Sequence, residues 1–119
     1  MIKVLRSSKV EKSYIKRLKE VKNGSYVFDF LKLPLIKKWQ YWILVKNEFP
    51  YDKIAKKHDL LVPKRFIADG EEMEDLELNE LYDIKTELNE DYDAYYEGTK
   101  RNRTVPEHFH IHCIEYIQG

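Results

Sequence analysis

Three of the four histidines in this 119-residue chain stand at alternate positions of the stretch His108-Phe109-His110-Ile111-His112-Cys113-Ile114. Alternate side chains of a β-strand lie on the same face, so a strand here would line up the three imidazoles. The intervening side chains, Cys113 included, would enter the core from the other face. Imidazoles titrate near neutral pH and repel one another when protonated. We therefore expect this cluster to serve a chemical function.

The alternating spacing by itself leaves three interpretations open. The histidines could ligate zinc, with three ring nitrogens and an open position for water. They could form a nucleophilic site, in which one imidazole attacks while its neighbours orient it and donate hydrogen bonds. They could also be a structural or solvated cluster without chemistry. The spacing favours none of the three over the others.

Two helices are predicted outside this stretch. Apolar residues recur at helical spacing over 8–22, and Ser8 is placed to cap the first turn. A second amphipathic helix is predicted over 71–88, with Asp69 as its cap and an acidic first turn that suits the helix dipole.

Extended segments account for most of the remaining chain. β-Branched and aromatic residues and alternating polarity predict them at 25–38, 39–47, 58–62, 92–96 and about 107–117. We expect one α+β domain over 1–119, with a mainly antiparallel sheet of about five strands and two principal helices.

The composition indicates a soluble protein. The longest apolar runs are far too short for a membrane span, and 1–20 lacks the continuous apolar stretch of a signal peptide. A single cysteine excludes an intrachain disulfide and fits a reducing compartment. The expected location is the cytoplasm, without a membrane partner.

The net charge of zero conceals a strong asymmetry. Residues 1–66 hold 17 Lys and Arg against 6 Asp and Glu, a surplus of +11, and residues 67–119 hold 4 against 15, a surplus of −11. A basic half could attract phosphates or nucleic acid. The neutral total argues against a dedicated polyanion-binding protein, so we interpret both segments mainly as surfaces that face solvent or each other.

Two blocks of sequence resemble the histidine-triad superfamily. The family motif is His-φ-His-φ-His-φ-φ, where φ is apolar, and 108–114 match it at every position. Upstream, Asn47-Glu48-Phe49-Pro50 followed by 58–65 (His-Asp-Leu-Leu-Val-Pro-Lys-Arg) resembles a second block of the family. The resemblance covers about 39–117, and 1–38 carry no recognised motif.

The resemblance implies a mechanism and a set of site residues. In this family the middle histidine, here His110, attacks an α-phosphate and forms a nucleotidyl-imidazole that water or another acceptor resolves. His108 and His112 would orient it and assist the leaving group, and His58 would approach the triad from a neighbouring strand. Asn47 matches the residue that hydrogen-bonds the ribose hydroxyls. The implied chemistry needs no metal and no cofactor.

The loop before the triad departs from the family pattern. Many members carry a Gly-Gln-Ser/Thr-Val run there, whereas this chain has a basic stretch in which only Thr104 matches the hydroxyl. Glu97 stands where the family often has an amide, and beside a phosphate it would need a basic partner. Lys100, Arg101 and Arg103 could supply that partner and clamp a polyphosphate, or could simply be solvated.

Aromatic residues offer a further candidate interaction. Trp39, Tyr41 and Trp42 could stack a nucleobase, but aromatic residues on a central strand are more often part of the core. The same interpretation is favoured for Tyr92, Tyr95 and Tyr96.

The leading hypothesis is a nucleotide hydrolase or nucleotidyl transferase that cleaves at the α-phosphate of a nucleoside phosphate derivative. The expected substrate is a nucleotide or a dinucleoside polyphosphate, with a nucleic-acid end as a further candidate. A homodimer is compatible with the resemblance. The alternatives are a nucleotide-binding module with weak turnover and a zinc site on the histidine strand.

Overall fold

A five-stranded antiparallel sheet forms the centre of the protein, in the strand order β1-β2-β3-β5-β4. The structure is a computed structural model that describes residues 5–68, 71–98 and 108–118. Its elements are α1 Ser8–Lys22, a 3₁₀ turn Phe30–Lys32, β1 Leu35–Lys38, β2 Trp42–Lys46, β3 Ala55–Pro63, α2 Asp75–Leu88, β4 Ala94–Tyr96 and β5 Ile111–Tyr116. The α+β class, the five strands and the two principal helices are confirmed.

The two strands that carry the histidines pair directly. In the β3–β5 ladder His58 stands opposite Ile114, and Leu60 stands opposite His112. The final strand therefore lies beside the region of His58, as the family resemblance implies.

One face of the sheet is covered by α2. The apolar core between the sheet and α2 contains residues from the strands and from the helix, namely Trp42, Leu44, Leu61, Leu81, Ile84, Leu88, Ile111 and Cys113. Trp42 and Cys113 are fully buried in it, and Trp39, Tyr41, Tyr95 and Phe109 pack at its margin. For these residues the core interpretation is confirmed, because each packs in or against the apolar cluster. It is wrong for Tyr96, whose ring lies 5.3 Å from that of His112 on the other face.

The other face holds the histidines and a smaller apolar cluster around Phe30, Ile43, Val45, Leu60 and Val62. α1 lies at its margin, held against the segment between β2 and β3. The backbone N–H of Ser7 donates to Asp52 Oδ1 over 2.6 Å, and the ring of Tyr14 lies 5.4 Å from that of Phe49.

Several predicted boundaries were wrong. α1 spans 8–22 as predicted, but Ser7 rather than Ser8 caps it, by accepting from the N–H of Val10. α2 begins at Asp75 and not at 71, and Glu74 caps it; Asp69 lies outside the described residues. The buried carboxylate of Glu77 bonds Arg65 and the Glu74 N–H, which fixes the start of the helix.

The segment 25–38 also differs from the prediction. Only Leu35–Lys38 forms a strand, while the aromatic residues before it lead into the 3₁₀ turn. Within the described part of the chain, no helix is long and apolar enough to cross a membrane.

Candidate active site

The four histidines of the chain meet on one face of the sheet. The ring centroid of Phe30 lies 5.9 Å from that of His108 and 4.7 Å from that of His110. The His112 ring lies 5.2 Å from His110 and 5.0 Å from His58. β5 begins only at Ile111, but the side chains of 108–110 continue the alternation between the two faces of the sheet. The predicted grouping of the histidines on one face is therefore present.

Hydrogen bonds assign the proton positions of His58 and His112. The backbone N–H of Tyr51 donates to Nδ1 of His58 over 2.9 Å, so a neutral His58 carries its proton on Nε2. That Nε2–H donates to Nδ1 of His112 over 2.7 Å. His112 therefore carries its own proton on Nε2, at the opposite corner of its ring.

Burial keeps both of these rings neutral. The loss of hydration, together with electrostatic repulsion from Arg6 and His110, lowers the pKa of His58 to about 3. Burial likewise lowers the pKa of His112, with added repulsion from His110 and His58. Neither ring takes a second proton near pH 7, so the direction of the hydrogen-bond chain is fixed.

His110 is oriented by the backbone of its own segment. Its Nδ1–H donates to the carbonyl oxygen of His108 over 3.0 Å. In the neutral ring this bond leaves the lone pair on Nε2. A neutral imidazole of this tautomer is a nucleophile at physiological pH, unlike a hydroxyl without a base.

The His108 ring is tied to β3 and not to the other imidazoles. Its Nε2–H donates to the Pro63 carbonyl over 2.8 Å, and burial lowers its pKa. Its Nδ1 is buried and has no hydrogen-bond partner among the described residues. The Phe66 ring lies 4.5 Å away. His108 therefore anchors the start of the histidine segment.

A pocket opens beside the histidines. Tyr26, Phe28, Phe30 and Leu60 give it a mainly apolar lining, and Asp29, Asn47 and Glu48 add polar groups. Phe30 belongs to both the pocket wall and the surroundings of His110. An aromatic pocket with a few polar groups suits a flat ring system such as a nucleobase.

Comparison with known proteins identifies the architecture. A histidine triad protein from Clostridium difficile matches with a TM-score of 0.51, covering 84% of this chain and 88% of that chain at 17% sequence identity. The chain has a histidine-triad-like fold. No protein-family model matches the sequence, and no curated protein matches it.

Within this histidine-triad-like fold, Asn47 lies between the pocket and His58. It lines the pocket, and its amide nitrogen is 3.3 and 3.1 Å from the two ring nitrogens of His58. Its Oδ1 accepts the backbone N–H of Phe49 over 2.9 Å. The side-chain amide is thus held at the junction of the pocket and the histidines.

The predicted phosphate contacts are mostly beyond the described part of the chain. Thr104, Lys100, Arg101 and Arg103 lie outside the described residues. Glu97 is exposed and follows Tyr96, whose ring lies 5.3 Å from that of His112. The assignment of these five residues to substrate binding stays a prediction.

Sequence reasoning missed three residues that shape the site. Phe30 contacts His110, Tyr51 fixes the proton of His58 and stacks on His112 at 5.6 Å, and the Arg6 guanidinium lies 4.9 Å from the Tyr51 ring. Tyr51 directly follows the recognised Asn47–Pro50 block, which was the available signal. Phe30 and Arg6 lie in the region without a motif.

The hydrogen bonds of the histidines also bear on the zinc alternative. Within residues 5–68, 71–98 and 108–118, no three His, Cys, Asp or Glu side chains are grouped to hold a metal ion. His58 and His112 are bonded to each other, and Nε2 of His108 is bonded to Pro63. The described geometry thus gives the zinc alternative no support.

Proposed function

We propose that this protein is a nucleotide hydrolase or nucleotidyl transferase that cleaves at the α-phosphate of a nucleoside phosphate derivative. The observation that carries the proposal is the pair of fixed imidazoles beside the aromatic pocket. His110 has its Nδ1 proton on the His108 carbonyl and its lone pair on Nε2. The ring centroid of His112 lies 5.2 Å from that of His110. Nδ1 of His112 accepts from His58, so His112 carries its proton on Nε2 and is a donor there.

The lone pair of His110 and the Nε2–H of His112 suit the two roles needed for a displacement at phosphorus, namely the nucleophile and the hydrogen-bond donor. Nε2 of His110 attacks the α-phosphorus, and a P–N bond forms as the leaving group departs with the electron pair of its bond. The Nε2–H of His112 donates a hydrogen bond to the charge that develops on the leaving atom or on the phosphoryl oxygens. Water or another acceptor then attacks phosphorus, the electron pair of the P–N bond returns to Nε2, and the proton of the acceptor passes to solvent.

The remaining site residues have supporting roles in this proposal. His58 holds the proton arrangement of His112, and His108 orients His110 through its carbonyl oxygen. Asn47 contacts the ribose hydroxyls, while the rings of Phe28 and Phe30 receive the base. Lys100, Arg101, Arg103 and Thr104 contact the phosphates, with Glu97 close to the basic loop.

The test is a nucleotide substrate screen of the wild type and a His110→Ala variant side by side. Nucleoside phosphoramidates, dinucleoside polyphosphates and adenylated oligonucleotides cover the substrate classes. Turnover should fall on the order of a thousandfold or more in the variant, because the nucleophile is lost. Nucleotide affinity should change little, since Asn47 and the aromatic pocket remain. Added imidazole should partly restore turnover in His110→Gly.

Tyr116→Phe provides a matched control, because Tyr116 lies at the exposed end of the same strand and its side chain is outside the site. This variant should keep wild-type turnover. Full activity in His110→Ala would show that the nucleophile is misassigned. Tight nucleotide binding without turnover by the wild type would make the protein a binding module.

A further inference from the structure

The outer face of α1 carries a row of four lysines, called here the lysine stripe: Lys9, Lys12, Lys16 and Lys19. Their separations of three and four residues place them along one side of the helix. All four are exposed, whereas Tyr14, Leu18 and Val21 on the other side are half-buried. Four of the basic residues of the N-terminal half therefore share one solvent-facing surface.

The charge of the stripe is not neutralised locally. Within the described residues, none of its four ammonium groups forms an ion pair. The acidic residues of α1 are Glu11 and Glu20, both half-buried, and Glu20 lies 3.5 Å from the guanidinium of Arg17. The described chain thus supplies no carboxylate within ion-pair distance of the stripe.

The stripe is held in a fixed position relative to the nucleotide pocket. Arg17 donates to Glu48 Oε1 over 2.5 Å, and Glu48 lines the pocket. At the start of α1, Ser7 is bonded to Asp52, and Nε of Arg6 donates to the Phe49 carbonyl over 2.9 Å. These contacts bind α1 to the segment that separates the pocket from His58.

We propose that the lysine stripe binds the phosphate backbone of a nucleic-acid strand whose terminal nucleotide occupies the pocket. This inference rests on the proposed function and names its substrate class. From Lys9 to Lys19 the helix rises about 15 Å, the length of about four phosphates at the stacked-strand spacing of 3.4 Å. The zero net charge does not oppose this, because a polyanion responds to the local potential of the surface it meets.

The observations favour nucleic acid over a membrane surface. A helix that lies in a membrane interface buries a broad apolar face in lipid. The apolar side of α1 is instead packed on the protein, with Tyr14 against Phe49. Ile15 is the exposed large apolar residue of the helix, and one such residue is too little for insertion.

The experiment compares two triple variants of the full chain. K12Q/K16Q/K19Q removes three of the four charges of the stripe, and K32Q/K38Q/K56Q removes the same charge from exposed lysines elsewhere. Gln and Lys have similar helix propensities, so α1 should persist. The probes are a fluorescent single-stranded oligonucleotide of about a dozen bases, its duplex, the same strand with a 5′-adenylyl group, and a mononucleoside phosphoramidate as the small substrate.

We expect only the stripe variant to lose oligonucleotide affinity. With three phosphate contacts removed at a slope of about 0.7 each, the wild type should lose about twentyfold more affinity than this variant between 50 and 200 mM salt. KM for the adenylated strand should rise in the stripe variant alone, while turnover of the phosphoramidate stays equal in all three proteins.

Each other outcome is decisive. Equal affinity and equal salt dependence in the stripe variant and the wild type would overturn the inference. Binding to vesicles containing phosphatidylserine, with no binding to oligonucleotides, would overturn it in favour of a membrane surface. Stripe-dependent binding without turnover of the phosphoramidate would reject the proposed enzyme activity and leave the surface in place. Strand or duplex preference identifies the form of nucleic acid.

Discussion

The two faces of β3 and β5 are built from alternate residues of the same strands, yet they follow different rules. Toward α2 the strands present Leu61, Ile111 and Cys113, which are fully or almost fully buried in an apolar core. Toward the other side they present the buried His58 and the half-buried His112, whose rings are joined by a hydrogen bond. On the first face, each buried apolar side chain stabilises the fold. On the second face, burial keeps the imidazoles neutral, because a hydrated imidazole would be protonated more easily.

This difference separates stability from chemistry within one sheet. Burial of apolar surface stabilises the fold without directional requirements. Burial of an imidazole costs free energy unless its polar atoms are hydrogen-bonded, and the Tyr51–His58–His112 chain bonds both ring nitrogens of His58 and Nδ1 of His112. Substitutions on the α2 side should therefore change the free energy of unfolding, and those on the histidine side should mainly change activity and pH dependence.

The largest expected effect on stability is that of Trp42→Ala. Trp42 is completely buried, and its Nε1–H donates to the Glu77 carbonyl over 2.9 Å. Loss of such a side chain costs about 3–5 kcal/mol in the free energy of unfolding, measurable by urea denaturation. The half-buried Trp39, replaced in Trp39→Ala, should cost clearly less. If Trp42→Ala reduced turnover per folded molecule as strongly as His110→Ala, the separation of the two faces would be wrong.

A smaller change in the free energy of unfolding is expected when the pH is lowered. The pKa of an unfolded histidine is about 6.5, while those of His58 and His112 are far lower in the native protein. Below pH 6.5 the unfolded chain binds protons at these two histidines and the native state does not. Their contribution to the free energy of unfolding is therefore fully present above this pH and is lost as the pH falls. Between pH 7.5 and 5.5 the pair should lose about 2–3 kcal/mol.

Denaturation of His58→Gln at the same two pH values tests the origin of this loss. The variant should show a pH-dependent loss smaller by about 1 kcal/mol, because one suppressed protonation is gone. An unchanged pH dependence would mean that His58 is not the group that burial keeps neutral.

The smallest effect is expected at the margin of the histidine face. Phe66 is 54% exposed, and its ring lies 4.5 Å from His108. Phe66→Ala should change the free energy of unfolding by about 0.5 kcal/mol and raise KM about twofold. Val27→Ala, at a residue that is 79% exposed, is the control and should change neither quantity. A stability loss in Phe66→Ala near that of Trp42→Ala would contradict the comparison.

The sequence was sufficient for those features that a strand encodes locally. The period of two at 108–114 predicts which side chains share a face, and the apolar residues between the histidines predict which face is buried. The pairing of this strand with the His58 region, which the family resemblance implies, is also present. The period and the resemblance together predict the grouping of the four histidines.

Contacts between distant segments could not be inferred in this way. Phe28 and Phe30 alternate as in a strand, but they line the pocket from a loop and a 3₁₀ turn. At the start of α2 several acidic residues could serve as caps, and the pairing of Arg65 with Glu77 selects Glu74. The position of these aromatic rings and the start of α2 each depend on contacts with residues distant in sequence. Local propensity does not predict such contacts.

The central claim is that His110 becomes covalently attached to the nucleotide, and trapping this intermediate tests it most directly. The wild type is mixed with a nucleoside phosphoramidate labelled at the α-phosphorus, quenched in alkali within the first turnover, and digested for mass spectrometry. The account predicts a nucleotidyl group on the peptide containing 108–112, stable in alkali, released by acid, located on His110 and absent from His110→Ala. Turnover by the wild type without any labelled protein, or label on His110→Ala, would contradict it.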